Sequence, residues 1–317
     1  KVFEHTAMYD AQIATFLDGD FTGFFFKDKQ EMRYGENPHQ KGTFYRDTKQ
    51  RGHNIAFAHQ HQGKKLSYNN ILDADAAFEL IKEFNSPTTA IIKHLTPCGV
   101  ATDRFVLGAY KKAFSVDKKS PFGGVVSMNR TCDEKMAKEL SKIFLEIVIA
   151  PSFTQKALEV FAKKSSLRVL ETKGVKRDKK HRILRGVAGG MLVQEANHSQ
   201  LAERKLKQVS KKKVTKAQKK DMIFGWNVIK HVRSNAIVLV KNGVMVGVGA
   251  GQTSRVDAVK IACKKAGKKR AIGAVLVSDA FFPFADAIEP AEQYGIVAVL
   301  HPGGSVKDSE VEGAVDK

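Results

Sequence analysis

Two stretches of this chain alternate helical and strand patterns in the same order, and that alternation narrows the fold more than any other feature. Residues 67–84 carry Ile71, Ala74, Phe78 and Ile81 as an apolar stripe at helical spacing, and residues 90–92 are an apolar β-type run. A helix over 105–114, a glycine-led strand within 120–126, a helix over 132–144 and a strand over 146–150 follow, then a helix over 154–163 and strands over 167–171 and 185–194. The second stretch predicts a helix over 214–232, a strand over 236–241, an Asn242-Gly243 hairpin turn and a return strand over 244–248. It continues with a helix over 254–266, a strand over 274–277, a helix over 288–294 and a strand over 296–300. Such alternation argues α/β layers on mixed sheets. Ahead of it lie a lead-in helix at 4–17 and an aromatic, strand-like run at 21–26. The echo between the halves is in element order, not in residues. It divides the chain into a lead-in at 1–27, a first unit at 28–200 and a second at 201–317, with the boundary near 195–214, where composition turns basic and apolar periodicity stops.

Composition excludes several classes. With 43% hydrophobic and 27% charged residues the chain reads as soluble and globular, and no run of apolar residues is long enough to span a membrane. The first residues do not form a signal peptide, and without an initiator Met they read as the start of a fragment. Cys98, Cys132 and Cys263 are odd in number and widely spaced, which fits a reducing, cytoplasmic setting. The net charge of +20 is concentrated in 164–185 and 204–220. These runs read first as solvated faces. They lack interleaved aromatics for base stacking, so nucleic acid is not the expected partner, whereas attraction of small polyanions is open.

The candidate chemistry gathers on residues 89–101, where an apolar run delivers Lys93 and His94 to a Pro97-Cys98-Gly99 turn. An imidazole moves protons near neutral pH, and an adjacent ammonium suits a phosphate or a developing oxyanion. A hydrogen-bonded core histidine is the plain alternative for His94. Arg33 and Tyr34 border the Gly35 to Pro38 turn, a place to grip a phosphate and stack on a flat ring. Asn69, Asn70 and Asp73 read as helix-capping residues. Gly123-Gly124 allows close backbone approach to a ligand, with an ordinary turn equally open. Gly247, Gly249 and Gly251 lie between a strand and a helix, with Arg255 at the helix start, a weak phosphate-turn pattern. Cys98 reads as a packed thiol rather than a partner of His94. No H-x-E stands beside Pro97-Cys98, and no second cysteine follows it, so a zinc deaminase is not expected.

As a set, several motifs resemble one family. They are R-Y-G-E-N-P-H-Q at 33–40, L-S-Y-N-N-I-L-D-A-D-A-A at 66–77, K-H-L-T-P-C-G-V-A at 93–101 and F-G-G at 122–124. They continue with I-A-P-S-F at 149–153, S-N-A-I-V at 234–238, V-G-V-G-A-G-Q-T-S-R-V-D at 246–257, S-D-A-F-F-P-F-A-D at 278–286 and P-G-G-S at 302–305. The chain is similar to the transformylase domain of the bifunctional enzymes that carry 5-aminoimidazole-4-carboxamide ribonucleotide (AICAR) transformylase and inosine monophosphate cyclohydrolase. The resemblance implies two cytidine-deaminase-like αβα subdomains with mixed sheets and no zinc. It implies formyl transfer from 10-formyltetrahydrofolate, as co-substrate, to AICAR, without a metal, in a homodimer with sites at the subunit interface. It maps Lys93, His94 and Asn235 to catalysis. Arg33, Tyr34, Gly123, Glu146, Arg255, Phe281 and Asp286 map to the nucleotide, and Val256, Ser305 and Val306 to the folate. The cyclohydrolase domain expected before residue 1 is not in this sequence, and the family's closing basic segment is not reached by Lys317, so ring closure is not expected. A nucleotide-binding module without catalysis and a basic RNA-associated protein are the alternatives from other classes.

Overall fold

Side-chain oxygens set where the helices begin. Ser67, Asp133, Thr154, Thr215 and Ser254 each accept a backbone N–H from the first turn of the helix that follows, and Ser67 and Thr215 complete reciprocal capping boxes with Asn70 and Gln218. The structure, a computed structural model, describes residues 1–50, 52–178 and 181–316. Lys179 and Lys180 of the first basic run, and Lys317, lie outside the described residues.

Ahead of the alternating elements come α1 (Val2–Leu17), β1 (Phe26–Glu31), β2 (Thr43–Asp47) and β3 (His59–Gln62), the last an edge strand paired with β8. The first unit runs α2 (Tyr68–Ile81), β4 (Thr88–Lys93), β5 (Thr96–Thr102), α3 (Val106–Val116), β6 (Gly124–Met128), α4 (Glu134–Leu140), β7 (Leu145–Ala150), α5 (Gln155–Ala162) and β8 (Arg168–Glu171). An isolated hairpin, β9 (Arg182–Val187) and β10 (Gly190–Glu195), follows. The second unit runs α6 (Lys216–Ile229), β11 (Ile237–Lys241), β12 (Val244–Gly249), α7 (Arg255–Ala271), β13 (Val275–Ser278), α8 (Ile288–Gln293), β14 (Ala298–Leu300) and α9 (Asp308–Val315).

One ten-stranded mixed sheet carries both stretches, in the order β14-β13-β11-β12-β5-β4-β6-β7-β8-β3. Its two hairpins, β4–β5 and β11–β12, meet at the centre through Val244 and Ala101. One face is covered by α2 and α6 over a core that includes Phe78, Ile92, Val238 and Val277. The other face has two separate cores, one holding Tyr110, Met136 and Phe161 under α3, α4 and α5, the other Val259, Ala262 and Phe282 under α7 and α8. The α/β reading with a mixed sheet therefore stands.

Several local expectations need correction. The chain reverses at His94-Leu95, while Pro97, Cys98 and Gly99 lie inside β5, paired with β4. Gly99 is a packing glycine: a Cβ there would stand 2.5 Å from the Ala113 carbonyl oxygen of α3. The strand expected at 21–26 begins only at Phe26, because pairing with β2 starts there. The helix expected over 132–144 is confined to α4, since Cys132 bridges to Phe153 before it starts. The single strand expected at 185–194 is instead parts of two antiparallel strands, β9 and β10, that turn at Gly189, whose φ is 77°. Strands β2 and β3 and helix α9 were not legible, being short and largely polar.

The glycines of β12 have the same role as Gly99. A Cβ at Gly247 would stand 2.3 Å from the Ala262 carbonyl oxygen, and one at Gly249 2.0 Å from that of Ala258, so α7 rests directly on the strand. Their spacing reflects helix–sheet packing, which accounts for them without a phosphate. Gly249→Ala should destabilise the fold by about 1–3 kcal/mol through this overpacking. Urea denaturation checks it, and a midpoint equal to that of the unaltered protein would contradict it.

Candidate functional site

Following strand directions through the ladder places the β4–β5 turn on the same edge of the sheet as the entries to β6, β7, β8 and β11 and the exits of β12, β13 and β14. Nearly every predicted site residue lies on or just beyond that edge. They form two groups.

The first group surrounds the turn. Lys93 and Thr96 are paired, and the two residues between them, His94 and Leu95, are left-handed with φ of 50° and 62°. The His94 side chain is exposed at the apex. The Lys93 ammonium donates to the carbonyl oxygens of Phe122 at 3.0 Å and Gly123 at 2.9 Å. No carboxylate pairs with Lys93 among the described residues, so its charge is held by dipoles rather than neutralised. Gly123 is left-handed with φ of 66°, and a Cβ there would stand 3.0 Å from the Lys93 nitrogen. Its amide donates to the Phe144 carbonyl oxygen, which brings the start of β7 alongside. There Glu146 accepts from Arg168 Nη1 at 2.6 Å.

Helix α2 ties a further loop to this turn. Asp73 Oδ1 accepts the Leu95 amide at 2.7 Å, and Asn69 Nδ2 donates to the Glu36 carbonyl oxygen at 3.1 Å. The second bond holds the loop of Arg33 and Tyr34, which is closed on itself by Gly35 donating to Gln40 at 2.7 Å. Arg33 is exposed, with its guanidinium carbon 5.8 Å from the Tyr34 ring centre. Reading the sequence assigned Asn69 and Asp73 to capping; Asn70 alone completes the capping box. The surplus of polar residues in that first turn, at a spacing of four, was the available signal.

The second group is built on the loops of the second unit. Asn235 Nδ2 donates to the carbonyl oxygens of Gln252 at 2.9 Å and Thr253 at 3.2 Å, locking the entry to β11 against the exit of β12. Arg255 is buried. Its Nη1 donates to the Ala236 carbonyl oxygen at 3.1 Å and pairs with Asp279, which also accepts the Ala236 amide at 3.0 Å. Arg255 Nε is buried without a partner. Asp279 was not singled out from sequence. Phe281 and Asp286 are exposed, whereas Phe282 beside them is fully buried against His301. Val256 is half-buried. Ser305 accepts the Lys307 amide at 3.1 Å, and Val306 is 100% exposed.

No hydrogen bond or ion pair among the described residues joins Lys93, His94, Gly123 or Glu146 to Asn235, Arg255 or Phe281. The sheet's twist of about 20–25° per strand accumulates over β4, β5, β12 and β11 and turns the edge. Lys230, five residues before Asn235, pairs with Glu83 at 2.6 Å beyond the C-terminal end of α2, whereas Asp73 near its start holds the turn.

Between the units, β5 and β12 pair at Ala101–Val244 and then diverge. A cavity of about 470 Å³ opens there, lined by Cys98, Met245, Gly247 and Val248 and flanked by Lys118, Lys119, Lys265 and Arg270. Burial pushes the Cys98 thiol up to about 12, and its sulfur lies 3.5 Å from the Ile91 carbonyl oxygen, so it is a packed thiol. Among the described residues no three His, Cys, Asp or Glu side chains converge as a metal site requires, and no helix is long and apolar enough to cross a membrane.

Comparison with known proteins shows a match of residues 1–265 to the AICARFT/IMPCHase bienzyme family. The bifunctional purine biosynthesis protein PurH of Anoxybacillus flavithermus is 47% identical over 317 residues, covering 98% of this chain and 62% of the relative. The proteins of the same name from a Thermoanaerobacter species and from Acetivibrio thermocellus are 48% and 47% identical, each covering 100% of this chain and 63% of the relative. The chain thus spans somewhat under two thirds of the length of these relatives.

Gly123→Ala should lower stability by about 1–2 kcal/mol, the cost of a left-handed alanine, and dislodge Lys93 from its two carbonyls. Thermal denaturation and the rate of Lys93 acylation by an amine reagent check this. Unchanged stability and unchanged reactivity would contradict it.

Proposed function

The chain belongs to the AICARFT/IMPCHase bienzyme family, and from that membership we propose that it transfers the formyl group of 10-formyltetrahydrofolate to the 5-amino group of AICAR, a step of purine biosynthesis in the cytoplasm. The observation that supports the reading is the turn: an exposed histidine directly follows a lysine whose ammonium, among the described residues, pairs with no carboxylate.

An amine conjugated through an aromatic ring to a carboxamide is a weak nucleophile, so its proton must leave as nitrogen attacks the formyl carbon. His94 takes that proton, with the carboxamide of the substrate as a possible relay. The tetrahedral intermediate places negative charge on the formyl oxygen, which Lys93 stabilises. Collapse breaks the bond to N10 of the folate, which receives a proton, and releases tetrahydrofolate and the formylated nucleotide. Asn235, whose Nδ2 is engaged by Gln252 and Thr253, orients the carboxamide by accepting through Oδ1. Arg33, Tyr34, Gly123, Glu146, Phe281 and Asp286 hold the nucleotide, with Arg255 supporting the loop of Phe281 through Asp279. Val256, Ser305 and Val306 lie toward the folate. The net charge of +20 steers both anionic substrates.

That no hydrogen bond or ion pair joins the two residue groups within one chain, among the described residues, supports a homodimer. In that assembly the Lys93–His94 turn of one copy meets Asn235 of the partner subunit, and each interface site is assembled from both. The two stretches of the chain act as two cytidine-deaminase-like units whose loops supply these halves.

His94→Ala should reduce formyl transfer by about 10²–10⁴-fold, the usual contribution of a positioned base, while AICAR still binds. Folate absorbance measures turnover and calorimetry measures binding. Turnover within tenfold of the unaltered protein would remove His94 as the base.

A further inference from the structure

We infer that Asn69 and Asp73, one turn apart on α2, are positioning residues that hold the Arg33 loop and the Lys93–His94 turn in register. The inference rests on the formyl-transfer reading for its kinetic arm.

The starting point is the turn itself. A two-residue hairpin loop with both residues left-handed normally takes Asn-Gly, because larger side chains clash with the backbone there. Here the positions are filled by His94 and Leu95, with φ of 50° and 62°. Each costs about 1–2 kcal/mol relative to a right-handed conformation. Such a conformation persists only where surrounding structure over-determines it. Thr96 offers the turn one contact from inside the hairpin, its hydroxyl at 3.4 Å from the His94 carbonyl oxygen. Among the described residues the outside support is Asp73, whose Oδ1 accepts the Leu95 amide at 2.7 Å. A carboxylate on a backbone N–H is roughly twice as strong as a neutral bond.

The anchor is rigid. Helix α2 is packed into the core through Ala74, Ala77, Phe78 and Ile81, all fully buried. Its capping box fixes its start. Asn69 and Asp73 are four apart, so they share one face, and the Asn69 bond to the Glu36 carbonyl oxygen uses that face for the Arg33 loop. A single helix face thus reaches the loop proposed to grip the nucleotide and the turn proposed to do the chemistry.

The two contacts predict different kinetic signatures. Asp73→Ala frees the turn and should lower kcat about tenfold or more, since small misplacements of a reacting group are costly, with KM for AICAR little changed. Asp73→Asn keeps an acceptor and should recover most of that loss without moving the pH profile of kcat/KM. Asn69→Ala loosens the Arg33 loop and should raise KM for AICAR about fivefold with kcat close to the unaltered value. Leu95 amide exchange, read without substrate, should be about tenfold faster in Asp73→Ala alone. Exchange at Leu95 indifferent to Asp73→Ala would overturn the inference. So would equal kinetic effects of the Asp73→Ala and Asn69→Ala substitutions, or a pH profile moved by Asp73→Asn. If no form turns over AICAR while exchange still responds, the formyl-transfer reading falls and the clamp survives.

Discussion

The Glu83 carboxylate fixes how the two units of the chain meet, and the layout of the site depends on it. It lies just beyond α2, almost fully buried, and accepts from Arg177 at 2.6 Å, Lys230 at 2.6 Å, Gln200 at 3.1 Å and His231 at 3.2 Å. Burial opposes its charge, but the hydrogen bonds from His231 and Lys230 outweigh that penalty and hold its pKa below the ordinary carboxylate range. Burial in turn pulls Lys230 below the ordinary amine range. A buried carboxylate needs such partners. Because they come from α6 and from the segment after β8, this contact ties the second unit to the far end of α2. The near end is left to hold the catalytic turn.

The central seam follows a different logic. The two innermost strands, β5 and β12, each omit side chains where a helix must approach: Gly99 under α3, Gly247 and Gly249 under α7. The helices come close enough to seal the sheet on that face while the strands themselves part. A ladder that opens beyond one pair leaves a crevice flanked by Lys118, Lys119, Lys265 and Arg270.

Much of this could be read from the chain, and the failures have physical causes. Helices α2, α6 and α7 were legible because caps and apolar periodicity agree, and the β11–β12 hairpin because Asn242-Gly243 suits its turn. The β4–β5 turn was misplaced for the opposite reason. His94-Leu95 carries no turn chemistry of its own, while Pro97-Cys98-Gly99 does, and only the contact with Asp73 reverses that preference. Lys93 and His94 were visible as neighbours in sequence, but the carbonyls of Phe122 and Gly123 that hold Lys93 come from a distant turn that local pattern does not reveal. The long-range partners of site residues (Asp279 for Arg255, Arg168 for Glu146) depend on strand order, which local pattern does not encode.

If one chain carries two half-sites and a second copy completes each, as proposed above, subunits damaged in different halves should rescue one another. Mixing His94→Ala with Asn235→Ala protein tests it directly. Each alone should be inactive, whereas random reassortment makes half the dimers mixed, each with one intact site of two, so activity should return to about a quarter of the unaltered protein. A mixture no more active than its parts would contradict the claim.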